Sequence, residues 1–259
     1  MQRAVAPDFL RGSEHMPQNR TDRAHSEPGT CQTRLAISAV LFTVLVIAVL
    51  TLAGIGARYW TRGDFNVIHA LLILFLSINL VICYWEVCLF LKRDYIERRT
   101  EYWRKRWRET GRKPSTEFLT TKVPLTRVLS PTVWADVWAT YSQFDGSYAD
   151  RRTYGYSVDI ANGFVTPIPT LILYAAFTFD ILPAPVAGIV GVILFWQLTY
   201  MTSVYWVSFF SANRQTRISR WDMYIYIWGM NSPWVLFALL GLYVSIRLIV
   251  NGDYSVLGY

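Results

Sequence analysis

Two carboxyl groups lie within apolar stretches of the sequence, where an ionisable side chain is unusual. Asp159 opens one stretch and is followed one turn later by Asn162, while Glu86 closes another stretch on the same helical stripe as Asn79 and Cys83. Because ionisable groups are costly inside a membrane, each of them is a candidate functional residue. A carboxylic acid in an apolar pocket can donate a proton to an alkene and then take one back. Asp159 and Glu86 are therefore candidates for acid–base chemistry on an apolar substrate.

Asn231 and Trp234 lie one helical turn apart in the last apolar stretch. An amide can orient an acid, and an indole ring can stabilise a carbocation by a cation–π attraction of about 2 kcal/mol when desolvated. Structural explanations compete with these roles. Glu86 could extend to the headgroups, Asp159 could cap its helix, and Asn231 could hydrogen-bond across helices. The sequence alone leaves these alternatives open.

The composition excludes several classes of protein. Of 259 residues, 53% are hydrophobic and only 17% are charged, against about 25% charged in soluble domains. This balance excludes a disordered chain and disfavours a soluble enzyme. The three histidines and three cysteines are too few or wrongly spaced for a di-iron centre, a bis-histidine haem or a zinc site. The sequence also has no Walker, Rossmann or G-x-S-x-G motif, so we expect no metal and no cofactor.

Asp145 and Gly146 begin a segment that is like the CDP-alcohol phosphotransferase signature. Asp150 replaces the Arg that the signature requires, and Gly163 stands where its final Asp belongs. Two of the metal-binding carboxylates would then be badly placed. A metal-dependent phosphotransferase is therefore disfavoured.

Five apolar stretches are long enough to cross the hydrocarbon core of a membrane, which takes about 20 helical residues. The third and fourth stretches are separated only by residues 180–183, which predicts a tight antiparallel hairpin. Residues 1–34 are polar, with Pro, Gly and Ser, so we expect a disordered tail. The expected fold class is an all-α integral membrane bundle of five transmembrane helices, at residues 35–57, 65–91, 156–179, 183–210 and 223–250.

Lys and Arg are distributed unevenly between the two sides of such a bundle. Of the 25 Lys and Arg residues, 22 fall in the tail, in loop 92–155 and in loop 211–222, which five spans place on one side. The positive-inside rule therefore predicts a cytoplasmic N-terminus and a C-terminus that is outside or luminal. The membrane would be the plasma membrane in a bacterium or the endoplasmic reticulum in a eukaryote.

Residues 92–136 form a basic insertion between the second and third spans. Its first part, 92–112, has a helical pattern in which Ile96, Trp103 and Trp107 share one face. A basic helix with an aromatic face suits the headgroup region of an anionic leaflet, and the alternative is a solvated extension of the second span. Nucleic-acid binding is disfavoured, because these aromatic residues lie on a helix face rather than on a sheet or in a groove. The opposite face carries Arg98, Arg99, Arg104, Lys105, Arg106 and Arg108.

A polar stretch after the insertion reads W-x-x-Y-x-x-x-D-x-x-Y. Trp138, Tyr141, Asp145 and Tyr148 occupy the fixed positions, and Asp159 follows eleven residues after the last of them. This pattern resembles the emopamil-binding protein family, whose members carry an EXPERA domain. In that family the stretch leads into a helix whose early Glu belongs to the active site, and Asp159 stands at the corresponding position. The resemblance implies that Tyr141, Asp145 and Tyr148 help to bind the substrate.

Further segments are similar to the same family. Residues 230–234 look like the family's M-N-x-x-W near the start of the last helix, and they contain Asn231 and Trp234. Asn162 stands where the family's sterol isomerase has a Thr. The resemblance covers about residues 65–250. It implies a membrane domain that binds a hydrophobic sterol or isoprenoid ligand and needs no cofactor.

The chain departs from the family pattern in the second span and in the insertion. Asn79 stands where the sterol isomerase has its His, and Cys83 stands where it has its second Glu. Glu86 lies one turn beyond Cys83 and is our candidate for the missing acid. The link from the second span to Trp138 is also much longer than in the family.

The residues and the resemblance together favour one function and leave two others open. We expect a cofactor-free isomerase or cyclase that acts on a sterol or another isoprenoid lipid by protonation and deprotonation through a carbocation. The alternatives are a non-catalytic sterol- or lipid-binding protein with the same pocket, and a structural membrane subunit. In the first two cases Asn79 and Cys83 would line the pocket as substrate-binding residues. The lipid bilayer is an expected partner, and a homodimer is left open.

Overall fold

The structure is a computed structural model that describes residues 35–258, so the tail expected over residues 1–34 lies outside the described part. Two three-residue strands, β1 (Ala36–Ser38) and β2 (Lys122–Pro124), accompany the helices, and a π-helical segment, Met223–Gly229, precedes the last helix. The helices are α1 (Ala39–Arg62), α2 (Val67–Leu91), α3 (Arg93–Thr110), α4 (Pro114–Thr120), α5 (Pro131–Tyr141), α6 (Tyr154–Val165), α7 (Pro167–Phe179), α8 (Ala184–Ser211), α9 (Arg220–Asp222) and α10 (Pro233–Asn251).

Four helical segments within residues 35–258 are long and apolar enough to cross a membrane. They are α1, α2, α8 and the segment Arg220–Asn251, which ends in α10. A fifth crossing results if α6 and α7 are counted as one bent span. The fold is therefore that of an α-helical integral membrane protein, as the sequence predicts.

The third predicted span is broken rather than continuous. The helices α6 and α7 are bent by 49° relative to each other. Pro167 has no backbone N–H and its ring clashes with the preceding turn, so a straight helix cannot pass through it. Thr166 bridges the break, because its hydroxyl donates to the carbonyl of Asn162 at 2.8 Å. The expectation of an uninterrupted helix over 156–179 is wrong for this reason.

The first transmembrane helix begins and ends later than hydropathy predicts. The strand β1 precedes it and pairs antiparallel with β2 of the insertion. Ser38 then caps the first turn of α1 through its side chain. At the other end, Gly63 has a φ of 72°, the left-handed conformation that glycine tolerates best. The predicted helix over 35–57 is therefore corrected to Ala39–Arg62, with the insertion anchored at its start.

One end of the bundle is closely packed and apolar. We define this packed end by the buried core that α2, α7, α8 and α10 share. A Cβ on Gly188 of α8 would lie only 2.7 Å from the carbonyl oxygen of Ser245 in α10. A Cβ on Gly241 would lie 2.5 Å from the ring of Phe195. Such small residues are typical of close helix packing in membranes. Core residues of this end include Leu72, Phe75, Leu173, Phe177, Leu194, Phe195, Val244 and Leu248.

The other end of α2 and α8 is built largely from aromatic side chains. We define this aromatic end by the buried cluster that these helices form with α3, α5 and α6. Trp85 stacks on Trp134 with ring centroids 5.5 Å apart. Trp138 stacks on Tyr148 at 4.9 Å. Stacked aromatic pairs of this kind stabilise a core by more than the burial of their apolar surface alone would provide.

The insertion folds onto the aromatic end as α3, α4 and α5. Ile96 and Trp103 on the apolar face of α3 are buried, and α3 packs against α5. The carboxylate of Asp136 in α5 accepts from the indole N–H of Trp103 at 3.0 Å and from Arg99 at 2.9 Å. Ile96 and Trp103 of the aromatic face are therefore covered by protein. Most of the basic face is exposed, whereas Arg99 and Arg106 are partly buried in ion pairs with Asp136 and Glu117.

Candidate active site

A cavity of about 110 Å³ lies at the aromatic end, where α2, α5, α6 and α8 meet the start of α10. Its walls combine carboxyl, amide and phenol groups with aromatic and aliphatic side chains. Both predicted catalytic residues and most of the predicted substrate-binding residues lie on these walls. The lining consists of Ile82, Trp85, Glu86, Val137, Trp138, Tyr141, Tyr148, Asp159, Asn162, Thr202, Met230, Asn231 and Trp234.

Glu86 and Asp159 face this cavity from two different helices. Glu86 is only 5% exposed and interacts with the amide of Asn162, and its charge is close enough to interact with that of Asp159. The hydroxyl of Tyr148 is close enough to interact with the Asp159 carboxyl group. Two carboxyl groups on the walls of one cavity are an arrangement that acid–base catalysis uses.

Structural explanations do not account for these two carboxyl groups. Glu86 is buried between helices, and its side chain faces the cavity. The cap of α6 is Thr153, whose hydroxyl accepts from the N–H of Tyr156 at 3.4 Å. Asp159 lies more than a turn further along the helix. Neither snorkelling nor helix capping therefore explains the pair.

Gly163 allows α6 to lie directly against α2 at the height of Glu86. A Cβ at this glycine would lie 2.7 Å from the Cβ of Glu86 and 2.9 Å from the backbone nitrogen of Val87. Any larger residue would have to push the two helices apart. The close approach brings Asp159 and Asn162, which precede Gly163 on α6, to the cavity.

Asn79 and Cys83 lie behind the cavity rather than on its walls. The amide of Asn79 donates to the hydroxyl of Thr170 at 2.9 Å and accepts from the indole N–H of Trp234 at 3.1 Å. The thiol of Cys83 lies 3.0 Å from the hydroxyl of Thr166. Asn79, Cys83 and Glu86 lie at successive heights along α2, because a helix rises about 1.5 Å per residue. Of the three, only Glu86 reaches the cavity. Asn79 and Cys83, expected to line the pocket, do not line this cavity: they hold Trp234 and the break between α6 and α7 in place.

Asp145 is fully buried but does not line the cavity. Its carboxylate accepts from the hydroxyl of Tyr205 at 2.9 Å and from the backbone N–H of Ser147 at 3.0 Å. The guanidinium group of Arg214 also donates to it at 3.4 Å. A buried carboxylate needs such donors because its desolvation is costly. Asp145, expected to help bind the substrate, therefore lies in a polar network beside the cavity rather than on its wall.

The π-helical segment before α10 is joined to the cavity wall by two polar side chains. Tyr141 donates to the carbonyl of Tyr226 at 2.9 Å. Asn231 donates to the hydroxyl of Tyr141 at 3.2 Å and to the carbonyl of Ile227 at 2.9 Å. Burial raises the pKa of Tyr141, which keeps its hydroxyl neutral. Asn231 therefore connects two helices and also lines the cavity, and π-helical turns are frequent at functional sites.

The sequence does not identify every residue of the cavity wall. Trp138 donates from its indole N–H to the carbonyl of Trp85 at 2.6 Å. Its position at the start of the W-x-x-Y motif is the sequence feature that could have identified it as a wall residue. Thr202 reaches the cavity from α8, where no spacing distinguishes it from the other polar residues. The remaining unpredicted wall residues are Ile82, Trp85, Val137 and Met230.

The cavity combines groups that exchange protons with groups that tolerate positive charge. Glu86 and Asp159 supply the carboxyl groups, and burial raises the pKa of Tyr148, which keeps it a neutral hydrogen-bond donor. Trp138 and Trp234 supply aromatic surface. Among residues 35–258, no three His, Cys, Asp or Glu side chains converge as they would around a metal ion. The donor set suits proton transfer to and from carbon.

The resemblance to the emopamil-binding protein family depends on the motif over 138–148, on Asp159 and on residues 230–234. All three segments contribute side chains to the cavity. No protein-family model, curated protein or solved structure matches this chain.

Proposed function

We propose that this chain is a cofactor-free isomerase or cyclase that acts on a sterol or another isoprenoid lipid within the cavity at the aromatic end. The observation that carries the proposal is that Glu86 and Asp159 share one cavity with aromatic walls. The helices that are long and apolar enough to cross a membrane support a substrate that dissolves in a lipid bilayer. The resemblance to the emopamil-binding protein family supports the substrate class.

The proposed reaction begins when one carboxyl group transfers its proton to a carbon of a double bond. The π electrons form the new C–H bond, and the neighbouring carbon becomes a carbocation. The indole rings of Trp138 and Trp234 stabilise this cation. The other carboxylate then removes a proton from an adjacent carbon, and the C–H electrons form the shifted double bond. In a cyclase, a second double bond of the same lipid attacks the cation before this proton is lost.

Two carboxyl groups in one cavity can act separately as the proton donor and the base. Like charges repel, so a pair in one apolar cavity favours the state in which only one group is ionised. One group then holds the proton for the alkene while the other is ready to act as the base. Asn162 beside Glu86 and Tyr148 beside Asp159 orient the two groups.

The size of the cavity limits the part of the lipid that it holds. A protein cavity of about 150 Å³ is known to hold one benzene ring, and this cavity measures about 110 Å³. Because it is smaller than the benzene-binding cavity, it has room for only the few carbons around the reacting double bond. The rest of the lipid would lie between the helices and the bilayer.

We also infer that the bent pair α6–α7 crosses the membrane once, which gives five spans and places the insertion on the cytoplasmic side. The strong bias of Lys and Arg towards one side supports this orientation. In it, the exposed basic face of α3 meets anionic headgroups of the inner or cytoplasmic leaflet.

Deuterium uptake tests the proposed chemistry. Membranes that contain the protein are incubated in D₂O with a Δ8-sterol and a host lipid extract, and the masses of all sterols and isoprenoids are measured. We expect wild-type membranes to form a labelled product. Asp159→Asn should lower its rate of formation by about 10²–10⁴-fold, as removal of a general acid or base does. Glu86→Gln should cause a loss of similar size.

The matched control is Asp253→Asn, which removes an exposed carboxylate that is not part of the cavity wall. It should leave the rate unchanged. Size-exclusion chromatography in detergent checks that every variant is folded. A folded wild-type protein that labels no lipid would contradict proton-transfer catalysis on these substrates.

A non-catalytic lipid-binding protein is the second candidate. It is favoured by Asn79 and Cys83, which stand in place of the family's His and Glu and supply no strong acid. An amphiphilic amine with a sterol-like body would mimic the carbocation and bind in the same cavity. Tight binding of such an amine, without any labelled product, would support this second candidate. A purely structural subunit is less well supported, because side chains do not fill the cavity.

A further inference from the structure

The insertion contacts the π-helical segment that leads into α10. Lys113, just before α4, donates from its ammonium group to the buried carboxylate of Asp222 at 2.5 Å. The hydroxyl groups of Ser115 and Tyr226 share a hydrogen bond at 2.6 Å. The ammonium group of Lys113 also lies 5.8 Å from the centre of the Tyr226 ring. Both insertion residues therefore contact Tyr226, which belongs to the π-helical segment.

Tyr226 is also bound to two residues of the cavity wall. Its carbonyl group accepts from the hydroxyl of Tyr141 at 2.9 Å and from the amide of Asn231 at 3.2 Å. Both donors line the cavity, as does Trp234, which follows Asn231 by one helical turn. Two consecutive contacts, both made by Tyr226, therefore join Ser115 of the insertion to the wall of the cavity.

The π-helical form of Met223–Gly229 depends on contacts with other elements. Such helices are rare, which indicates that an α-helix is the more stable form for most sequences. Here the carbonyl of Ile227 accepts from the indole N–H of Trp206 at 3.1 Å. Because a π-helix pairs residues five apart and an α-helix pairs residues four apart, a change to α-helix would rotate the residues that follow. Asn231 and Trp234 would then be displaced from the cavity wall.

We propose that Lys113 and Ser115 are positioning residues, which keep the π-helical segment in the form that presents Trp234 to the cavity. They lie outside the lining of the cavity, so they act through Asp222 and Tyr226. The effect on catalysis rests on the proposed function, in which Trp234 stabilises the carbocation. The effect on the π-helical segment does not depend on catalysis, so the two effects can be measured separately.

Hydrogen–deuterium exchange of backbone amides, read by mass spectrometry in detergent, tests the structural effect. Residues 223–232 should exchange several-fold faster in Ser115→Ala than in wild type, and faster again when Lys113→Met is added. Exchange in α2 and α8 should stay unchanged. One matched control is Thr116→Ala, which removes the exposed hydroxyl next to Ser115. The other is Lys105→Met, an exposed lysine that pairs with Glu109 on its own helix.

Turnover in the deuterium-uptake assay tests the effect on catalysis. A displaced Trp234 stabilises the cation less in the transition state, so kcat should fall by about 10–100-fold while KM changes little. Lys113→Met should show this separation of kcat from KM. Lys113→Arg keeps a cation beside Asp222 and should restore most of kcat. Binding of the amphiphilic amine, which mimics the carbocation, should weaken in Lys113→Met as well.

The outcomes separate the positioning role from the proposed function. Unchanged exchange over residues 223–232 in folded Lys113→Met/Ser115→Ala overturns the positioning role, whatever the turnover. Faster exchange throughout the chain also overturns it, since the two residues would then support the whole fold. Faster exchange in the segment with unchanged kcat and unchanged amine binding overturns the link to the cavity. Wild-type membranes that form no labelled product overturn the proposed function, and the exchange rates and amine binding still decide the positioning role.

Discussion

The two ends of α2 and α8 belong to the same helices, but they differ in composition and in how closely they are packed. At the packed end, glycines and small side chains let α8 and α10 approach closely, and Leu and Phe fill the space between them. At the aromatic end, Trp and Tyr side chains leave a cavity and an internal polar network. The comparison indicates that this protein separates the part that holds the bundle together from the part that has room for a ligand.

The difference follows from the shapes of the side chains. Interiors of branched aliphatic residues and glycine can reach crystal-like packing density, with few voids. Indole and phenol rings are large and rigid, and their polar atoms must find hydrogen-bond partners when buried. Trp138 and Tyr141 meet this need by donating to backbone carbonyl groups. The gaps between such rings become the cavity.

Truncation of a core side chain at each end gives the largest expected contrast. Phe195→Ala at the packed end should lower the free energy of unfolding by about 3–5 kcal/mol, since it leaves a void that close packing cannot fill. Ile82→Ala should cost clearly less, because Ile82 already borders the cavity. Unfolding is followed by circular dichroism as SDS is added to detergent micelles. Equal losses would mean that the two ends are packed alike.

A smaller contrast is expected when a methyl group is added. Gly188→Ala should lower the free energy of unfolding by about 1–3 kcal/mol, because the new Cβ meets the backbone of α10 at Ser245. Gly56→Ala is the control: it is also helical, and no described atom outside its own helix turn lies within 4 Å of the added Cβ. It should be neutral or slightly stabilising, since Ala favours helix over Gly. The same unfolding titration measures both, and a tolerated Gly188→Ala would show that α8 and α10 are not in close contact.

The sequence predicts the features that depend on local composition. The spans at 65–91 and 183–210 agree with α2 and α8 to within two residues at each end. Long apolar stretches of this kind form helices when they cross a membrane, because a helix satisfies its own backbone hydrogen bonds. The rarity of carboxyl groups in such stretches also singled out Glu86 and Asp159, which do face one cavity.

Features that depend on contacts between distant segments could not be predicted in this way. The strand β1 exists only because β2 of the insertion pairs with it. Periodicity placed Asn79 and Cys83 on the correct face of α2, but it carries no information on the depth at which the cavity lies. The separation of Asp145 from the cavity is set by Tyr205 and by Arg214, which come from α8 and the turn after it.

Ion pairs extend the comparison to the loops at the two ends. Beside the packed end, the guanidinium group of Arg58 is 1% exposed and binds Asp64 at 2.8 Å. Beside the aromatic end, Arg151 pairs with Asp94, and both side chains are well exposed. Hydrogen bonds from these arginines hold the pKa of each aspartate below its ordinary value of 3.8. Exposed pairs contribute little to stability, whereas a partner of a buried charge contributes more.

Asn substitutions at Asp64 and Asp94 should therefore change the melting temperature by unequal amounts that depend on pH. These are the smallest effects that we expect. A folded-state pKa below the unfolded one means that the pair stabilises above pH 3.8 and that this contribution is lost as the pH falls through the folded pKa. Asp64→Asn should lower the melting temperature at pH 7, and the difference from wild type should close in acid. Asp94→Asn should change it little at either pH. Melting temperatures in detergent at several pH values measure both, and a deficit in Asp64→Asn that persists in acid would show that the side-chain shape rather than its charge matters.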